Sequence, residues 1–351
     1  MSGGVDSSVA AALLKEQGYH CTGAYMKNWS GDDYGLQPDC PWEEDLGDMK
    51  AVCTKLGIPF RSFNFEKEYR SKVVEYFFEE YKNGRTPNPD IMCNKEIKFH
   101  LFLQKAIEEG ADFIATGHYA RKGEKNSTYQ LMKGIDLDKD QSYFLYNLTQ
   151  HQLSKTLFPI GSFRKKAIRD LAKKYDLPVA GKPDSQGICF IGRINVQDFL
   201  RSQINIHIGP ILDIDTGELI GKHDGIEFYT IGQREGLKIG GASKPYFVAR
   251  KDKQSNTLYA AMGSDHPSLY SKALSLQNIY LIDPSMQLEE LLGKRLQAAI
   301  RYRQKPQSVV LSKEQNHIRA TFEQPQRAVT EGQSMVLYDS EICLGGGIIE
   351  N

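Results

Sequence analysis

The chain has 351 residues, enough for two or three domains with cores of their own, and its 40% hydrophobic and 25% charged content is that of an ordinary globular protein. Forty-four Lys and Arg offset 44 Asp and Glu, so any nucleic-acid partner must be met by local basic patches and not by a global field. No run of ~18 apolar residues is present, which excludes a helical membrane span, and no signal peptide is visible, so a cytoplasmic location is expected.

The first stretch is Ser2-Gly3-Gly4-Val5-Asp6-Ser7-Ser8, followed by the apolar run Val9 to Leu14. Paired glycines let backbone N–H groups converge without a Cβ in the way. Placed at a helix start with two hydroxyls, they make a site for an anion such as pyrophosphate. The glycine spacing and Lys-Ser/Thr pair of a Walker A loop are absent. A buried strand is expected before such a loop, and only Met1 precedes it. Either that strand was lost at a misassigned start or the fold manages without it; a loop with no strand beneath it would be poorly anchored, at a cost in affinity for its anion.

After the helix from Ser7 to about Gly18, the α/β alternation continues. His20 to Met26 reads as a strand whose end, at Met26, is placed to cover an adenine. Residues 28–48 read as an acidic loop carrying Trp29 and Trp42, Asp45 to Leu56 as a helix, and Pro59 to Phe63 as a strand. Glu66 to Lys82 is an amphipathic helix with Val73, Val74, Phe77, Phe78 and Tyr81 on its apolar side. In Thr86-Pro87-Asn88-Pro89-Asp90 the two prolines predict a stiff, non-helical loop, with a helix starting near Asn94. Cys93 then lies at a helix start beside Lys95 and Lys98, which favours its thiolate. Ala111 to Ala120 reads as a strand running into a loop, with Gly117 and His118 at its carboxyl end. Tyr129 to Gly134 follows as a short strand, Tyr143 to Leu148 as a helix, and Arg164 to Tyr175 as a basic helix that is either a solvated face or an RNA contact.

From about residue 205 short β-like runs take over, including Gly209 to Leu212, Ile226 to Ile231 and Pro245 to Ala249, with a hairpin turn at Asp215-Thr216-Gly217-Glu218. Beyond a boundary near 265–275, Leu296 to Tyr302, Gln307 to Leu311, His317 to Phe322, Ser334 to Tyr338 and Ile342 to Ile349 are evenly spaced strands of a small β-barrel. Lys294, Arg295, Arg301, Arg303 and Lys305 form a basic patch around Tyr302, which offers a stacking surface for an unstacked RNA base. Three domains are expected, at 1–203, 204–270 and 271–351.

The six cysteines (Cys21, Cys40, Cys53, Cys93, Cys189 and Cys343) contain no C-x-x-C pair, so neither a zinc site nor a disulfide scaffold is suggested. Cys21, Cys53 and Cys343 read as packing, Cys40 as an exposed loop residue, and Cys93 and Cys189 as candidates for chemistry.

The Ser-Gly-Gly-Val-Asp-Ser-Ser stretch resembles the loop of PP-loop ATP pyrophosphatases. Together with Asn88-Pro89-Asp90, Cys93, Thr116-Gly117-His118-Tyr119 and Cys189, it resembles the tRNA-specific 2-thiouridylase family over nearly the whole chain. The resemblance implies a parallel-sheet α/β domain of the adenine nucleotide alpha hydrolase-like type, then a small β-rich domain and a C-terminal β-barrel. It implies that Ser2, Gly3, Gly4, Val5, Asp6, Ser7, Ser8, Met26 and Gly117 bind ATP, with Mg2+ expected from pyrophosphate chemistry and no protein metal ligands readable. Asn88, Pro89 and Asp90 would contact the target wobble uridine, Asp90 as an acid/base partner. Cys189 would carry a persulfide from a relay protein, and Cys93 would act as nucleophile, leaving a Cys93–Cys189 disulfide. In an alternative order the persulfide attacks the adenylated base directly. His118, Lys139, Asp140, Gln141, Arg301, Tyr302 and Gln333 would touch tRNA. Rival readings are an amidotransferase-type synthetase, which leaves two cysteines without a task, and a non-catalytic tRNA-binding homologue.

Overall fold

A computed structural model describes residues 1–29, 42–184, 196–241, 243–315 and 317–350. The loop opens helix α1 (Val5–Glu16), whose buried Val5, Val9, Leu13 and Leu14 supply the apolar side that docks it. Gly18, at φ +89, ends it in a conformation that a Cβ disfavours. Strand β1 (Gly23–Lys27) leads to α2 (Trp42–Leu56), whose first turn holds Glu43, Glu44 and Asp45 against the positive end of its dipole. Strand β2 (Phe60–Asn64) pairs with β1 in parallel from Gly23↔Phe60 to Lys27↔Asn64.

Two long helices follow. The first runs through Glu66–Tyr69, a π-helical Arg70–Val74 and Glu75–Lys82. The second runs through Pro89–Met92, a π-helical Cys93–Phe102 and Leu103–Glu108. Strand β3 (Ile114–Ala115) is short, the hairpin β4 (Ala120–Lys125) and β5 (Thr128–Lys133) comes next, and β6 (Thr156–Leu157) pairs with β3 in parallel. The parallel sheet thus consists of two two-stranded pieces among the described residues. The basic helix Lys165–Lys174 packs on α1, sharing a core of Val9, Leu13, Ile168 and Ala172.

The helix Val196–Arg201 leads into strands β7 (Gly209–Asp213), β8 (Leu219–His223), β9 (Tyr246–Asp252) and β10 (Thr257–Met262), arranged β8-β7-β10-β9. Six further strands close on themselves in the order β11-β14-β13-β12-β15-β16-β11: β11 (Tyr270–Leu281), β12 (Arg295–Ala299), β13 (Gln307–Glu314), β14 (His317–Arg327), β15 (Ser334–Asp339) and β16 (Ile342–Glu350). Alternate residues Ile318, Ala320 and Phe322 point into a core with Leu276, Leu311 and Leu337, the period-2 burial of a barrel wall. Closure depends on glycine: a Cβ on Gly345 or Gly346 would strike the carbonyl of Tyr280 or Met335. Among the described residues no helix is long and apolar enough to cross a membrane.

Several local expectations shift. The second long helix begins at Pro89 and not near Asn94, because proline tolerates the first helical position, where no N–H partner is needed, and Asn88 caps it. Ile226–Phe228 is a 3₁₀ turn where a strand was expected, and Ser142–Leu145 is a single 3₁₀ turn where a longer helix was. Strand β5 leaves the N-terminal α/β part to pair with β16 through Leu131↔Cys343 and Met132↔Ile342, fastening the barrel to the first domain. Cys40 and Cys189 lie outside the described residues.

Candidate active site

The loop's geometry follows from its glycines. Gly3 sits at φ +66, and a Cβ there would come 2.5 Å from the Asp45 carbonyl oxygen of α2. Gly4 caps α1 from an extended conformation with no side-chain hydrogen bond, so the first N–H groups of a 12-residue helix are left for an anion. Both following hydroxyls donate to the Gly4 carbonyl, Ser8 at 2.8 Å and Ser7 at 3.2 Å, and the Ser2 N–H donates to Ser7 Oγ at 3.2 Å. Gly117, beyond β3, lies so close that a Cβ would come 2.7 Å from the Ser7 nitrogen. Met26, in β1, is partly buried beside its register partner Phe63. This donor set fits the phosphates of a nucleotide.

A charge network surrounds the loop. Asp6 accepts a hydrogen bond from Tyr119 Oη at 2.8 Å and two from Lys165 Nζ at 2.7 and 2.9 Å. The same ammonium reaches Asp184 at 2.7 Å, and Asp184 also accepts from Lys139 at 2.8 Å and Arg169 at 2.5 Å. Burial by itself would raise the Asp184 pKa, but bonding to Lys139 and Lys165 outweighs it and holds the carboxyl well below its usual range. Burial and the neighbouring Asp6 push the Tyr119 phenol far up, so it stays a proton donor. Lys182 bonds Asp45 at 2.7 Å and Asp48 at 2.5 Å, tying α2 to the segment that leads to Asp184. Among the described residues no three His, Cys, Asp or Glu side chains cluster as metal ligands.

The Asn88-Pro89-Asp90 stretch is the first turn of the second long helix. Asn88 Oδ1 accepts from the Ile91 N–H at 3.2 Å, and Cys93, one turn on, opens the π-helical stretch fully buried. The residues leading in are pinned from two sides. Thr86 N–H donates to the Glu331 carbonyl at 2.9 Å, the Thr86 and Thr230 hydroxyls meet at 3.1 Å, and Gln333 Nε2 donates to the Thr86 and Pro87 carbonyls at 2.9 and 3.1 Å. His118 bonds Thr116 Oγ1 at 2.8 Å and packs 5.7 Å from the Phe99 ring; burial, aided by Lys98, puts its pKa well below that of a free imidazole.

The other candidate residues are partly committed to the fold. Asp140 accepts from the N–H groups of Gly134 and Ser142 and from Ser142 Oγ, and Gln141 Oε1 accepts from the Tyr119 N–H. Tyr302 packs 4.4 Å from the Phe144 ring, with the Arg303 guanidinium 5.1 Å from its own, and lies near enough to Lys139 and Asp140 for their charges to act on its phenol. Arg301 donates to the Arg327 carbonyl at 2.5 Å. Cys21, Cys53 and Cys343 stand apart, their thiol pKa values raised by burial, Cys53 against Met49 and Cys343 inside β16.

Sequence reasoning placed none of Tyr119, Lys165, Arg169 and Asp184 at the nucleotide loop, offering the helix of Lys165 and Arg169 only as a solvated face or an RNA contact. The four-residue spacing of Lys165 and Arg169 on one helix face was the available signal, hidden among the other basic residues of that helix.

The chain matches the family models described as tRNA methyl transferase HUP domain over residues 1–193, tRNA methyl transferase PRC-barrel domain over 197–262 and Aminomethyltransferase beta-barrel domain over 271–349. It is 51% identical to the tRNA-specific 2-thiouridylase MnmA of Pseudomonas fluorescens, Pseudomonas syringae and Stutzerimonas stutzeri over alignments of 354 positions. These take in 100% of this chain and 92%, 93% and 93% of those proteins. With its loop, its helix-borne cysteine and its barrel in one continuous match, the chain belongs to the tRNA-specific 2-thiouridylase family.

Proposed function

We propose that the protein is an ATP-dependent tRNA sulfurtransferase that converts the wobble uridine to 2-thiouridine, built as domains 1–203, 204–270 and 271–351. ATP is held by Ser2 to Ser8, Met26 and Gly117, its phosphates at the open N–H groups of α1. The uridine contacts Asn88, Pro89 and Asp90. Its C2 oxygen attacks the α-phosphorus, pyrophosphate leaves, and Asp90 takes the N3 proton. A persulfide on Cys189, delivered by a relay protein, supplies the sulfur. Cys93 attacks Cys189 Sγ, the Sγ–S bond breaks, and the released hydrosulfide adds at C2 and expels AMP. The resulting Cys93–Cys189 disulfide is reset by a thiol reductant of the cytoplasm. His118, Lys139, Asp140, Gln141, Arg301, Tyr302 and Gln333 line the tRNA side, and the target base leaves its stack to reach the cysteines. Magnesium would be carried by the nucleotide phosphates and would neutralise their charge as pyrophosphate departs.

The observation that carries this reading is the link through Lys165 from Asp6 of the phosphate loop to Asp184, five residues before Cys189. It supports a site in which nucleotide binding and the sulfur-bearing segment are one unit. The test is thiolation of a U34-containing tRNA transcript with ATP, magnesium and a sulfur donor, read by nucleoside mass spectrometry. Absence of 2-thiouridine, with a related enzyme active alongside, defeats the reading. Loss of sulfur transfer in both Cys93→Ala and Cys189→Ala, with ATP binding retained, supports the assigned roles.

A further inference from the structure

The carboxyl end of β1 carries a polar group left unsatisfied among the described residues. Asn28 directly follows β1 and is 2% exposed, yet neither its amide nitrogen nor its amide oxygen has a hydrogen-bond partner among the described residues. A buried amide lacking both bonds is costly, and the few native instances call for an explanation. Its neighbours hold it in place. The Lys27 carbonyl accepts from the Phe65 N–H at 2.8 Å, Lys27 Nζ pairs with Glu66 at 3.2 Å, and Trp29 packs edge-on against Phe199.

The position is that of a ligand group. Tyr25 of β1 donates to the Trp42 carbonyl at 3.1 Å, so α2 starts beside this end of the strand, and α2 in turn abuts Gly3 of the phosphate loop. The other parallel pair ends against the same loop, through Gly117. Open parallel sheets take their ligands beyond the carboxyl ends of the strands. A carboxamide presents a donor and an acceptor side by side, the complement of a nucleobase edge that does the same: N6–H and a ring nitrogen of adenine, or, on the neutral base before Asp90 removes that proton, N3–H and a carbonyl of uracil.

We propose that Asn28 is a base-reading residue, its carboxamide pairing in two-point fashion with the donor–acceptor edge of a nucleobase held beyond β1. The inference rests on the proposed function, which brings adenine, as ATP, and uracil, as the tRNA base, to this site. In the free protein the amide is unpaired; in the complex it is satisfied.

The test compares Asn28→Leu, close in shape but apolar, and Asn28→Ser with the wild-type chain. Thiolation kcat/KM is expected to fall roughly 10- to 100-fold, the usual loss for a two-point base contact. The melting temperature of ligand-free Asn28→Leu is expected to equal or exceed that of wild type, because an unpaired amide has been removed. Titration with a non-hydrolysable ATP analogue separates the two bases. Weakened binding, with thiolation restored at high ATP, assigns adenine; unchanged binding, with the loss persisting at saturating ATP, assigns uracil. Wild-type turnover in both variants overturns the proposal. So does a lowered melting temperature in both, with activity tracking the folded fraction. Wild-type protein that forms no 2-thiouridine in the same assay defeats the proposed function instead.

Discussion

The ammonium of Lys165 meets the carboxylate of Asp6 at 2.7 Å across 159 residues of sequence. The pair is partly buried, and the same ammonium serves Asp184, so one cation separates two carboxylates that would otherwise repel each other. Lys165→Met is expected to lower ATP-dependent pyrophosphate release by ~100-fold or more, the scale of losing a preorganised charge at a reacting group. Lys165→Arg should recover only part of it, because a planar fork does not replace a point charge between two carboxylates. A pyrophosphate-release assay on both variants checks this.

The depressed pKa of Asp184 makes a pH prediction. Its folded-state value lies below the unfolded value of about 4, so the unfolded chain binds the proton first on acidification. The stability it contributes is therefore present above about pH 4 and is lost as pH falls toward the folded value. Asp184→Asn should be less stable than wild type at pH 7, and the gap should close below about pH 4, in urea unfolding followed across pH.

His118 acts in a different window. Its folded pKa is lowered, chiefly by burial, so below about pH 6.5 the unfolded chain takes up a proton that the folded one refuses. Wild-type stability should fall as pH drops from 7 to 5. In His118→Phe that slope should be shallower, as read by thermal melting at matched ionic strength.

Gly117→Ala would drive a methyl into the backbone between Asp6 and Ser7. The KM for ATP is expected to rise by about 10-fold or more, since small displacements of a positioning loop are amplified in catalysis. Steady-state kinetics at varied ATP, beside the melting temperature, separates this from general unfolding.

Gln333→Ala removes two hydrogen bonds that hold Thr86 and Pro87 to the barrel. Stability should drop by about 1–2 kcal/mol. Thiolation should slow while ATP binding is kept, because the bonds position the Asn88 turn and not the phosphate loop.

Much of the site was legible. Gly3 and Gly4 before a hydroxyl-rich helix start imply an anion site from backbone chemistry alone, and the alternation in His317 to Phe322 implies a barrel wall. Less legible was the Pro89 helix start, where a residue type that usually breaks helices occupies the one turn that accepts it. Strand β11 was missed because its burial is irregular along much of its length.

The sequence by itself determined the family, the glycine turn that opens the first helix and the presence of the barrel, because each depends on residue types within a few positions of one another. Only the tertiary structure decided that Lys165 and Arg169 turn inward from a helix that reads as a basic face, and that β5 joins a barrel some 200 residues away. It also decided that Asn28 is buried without a partner among the described residues. Such pairings are set by register and by which faces meet once the chain collapses, and neither is written in local periodicity.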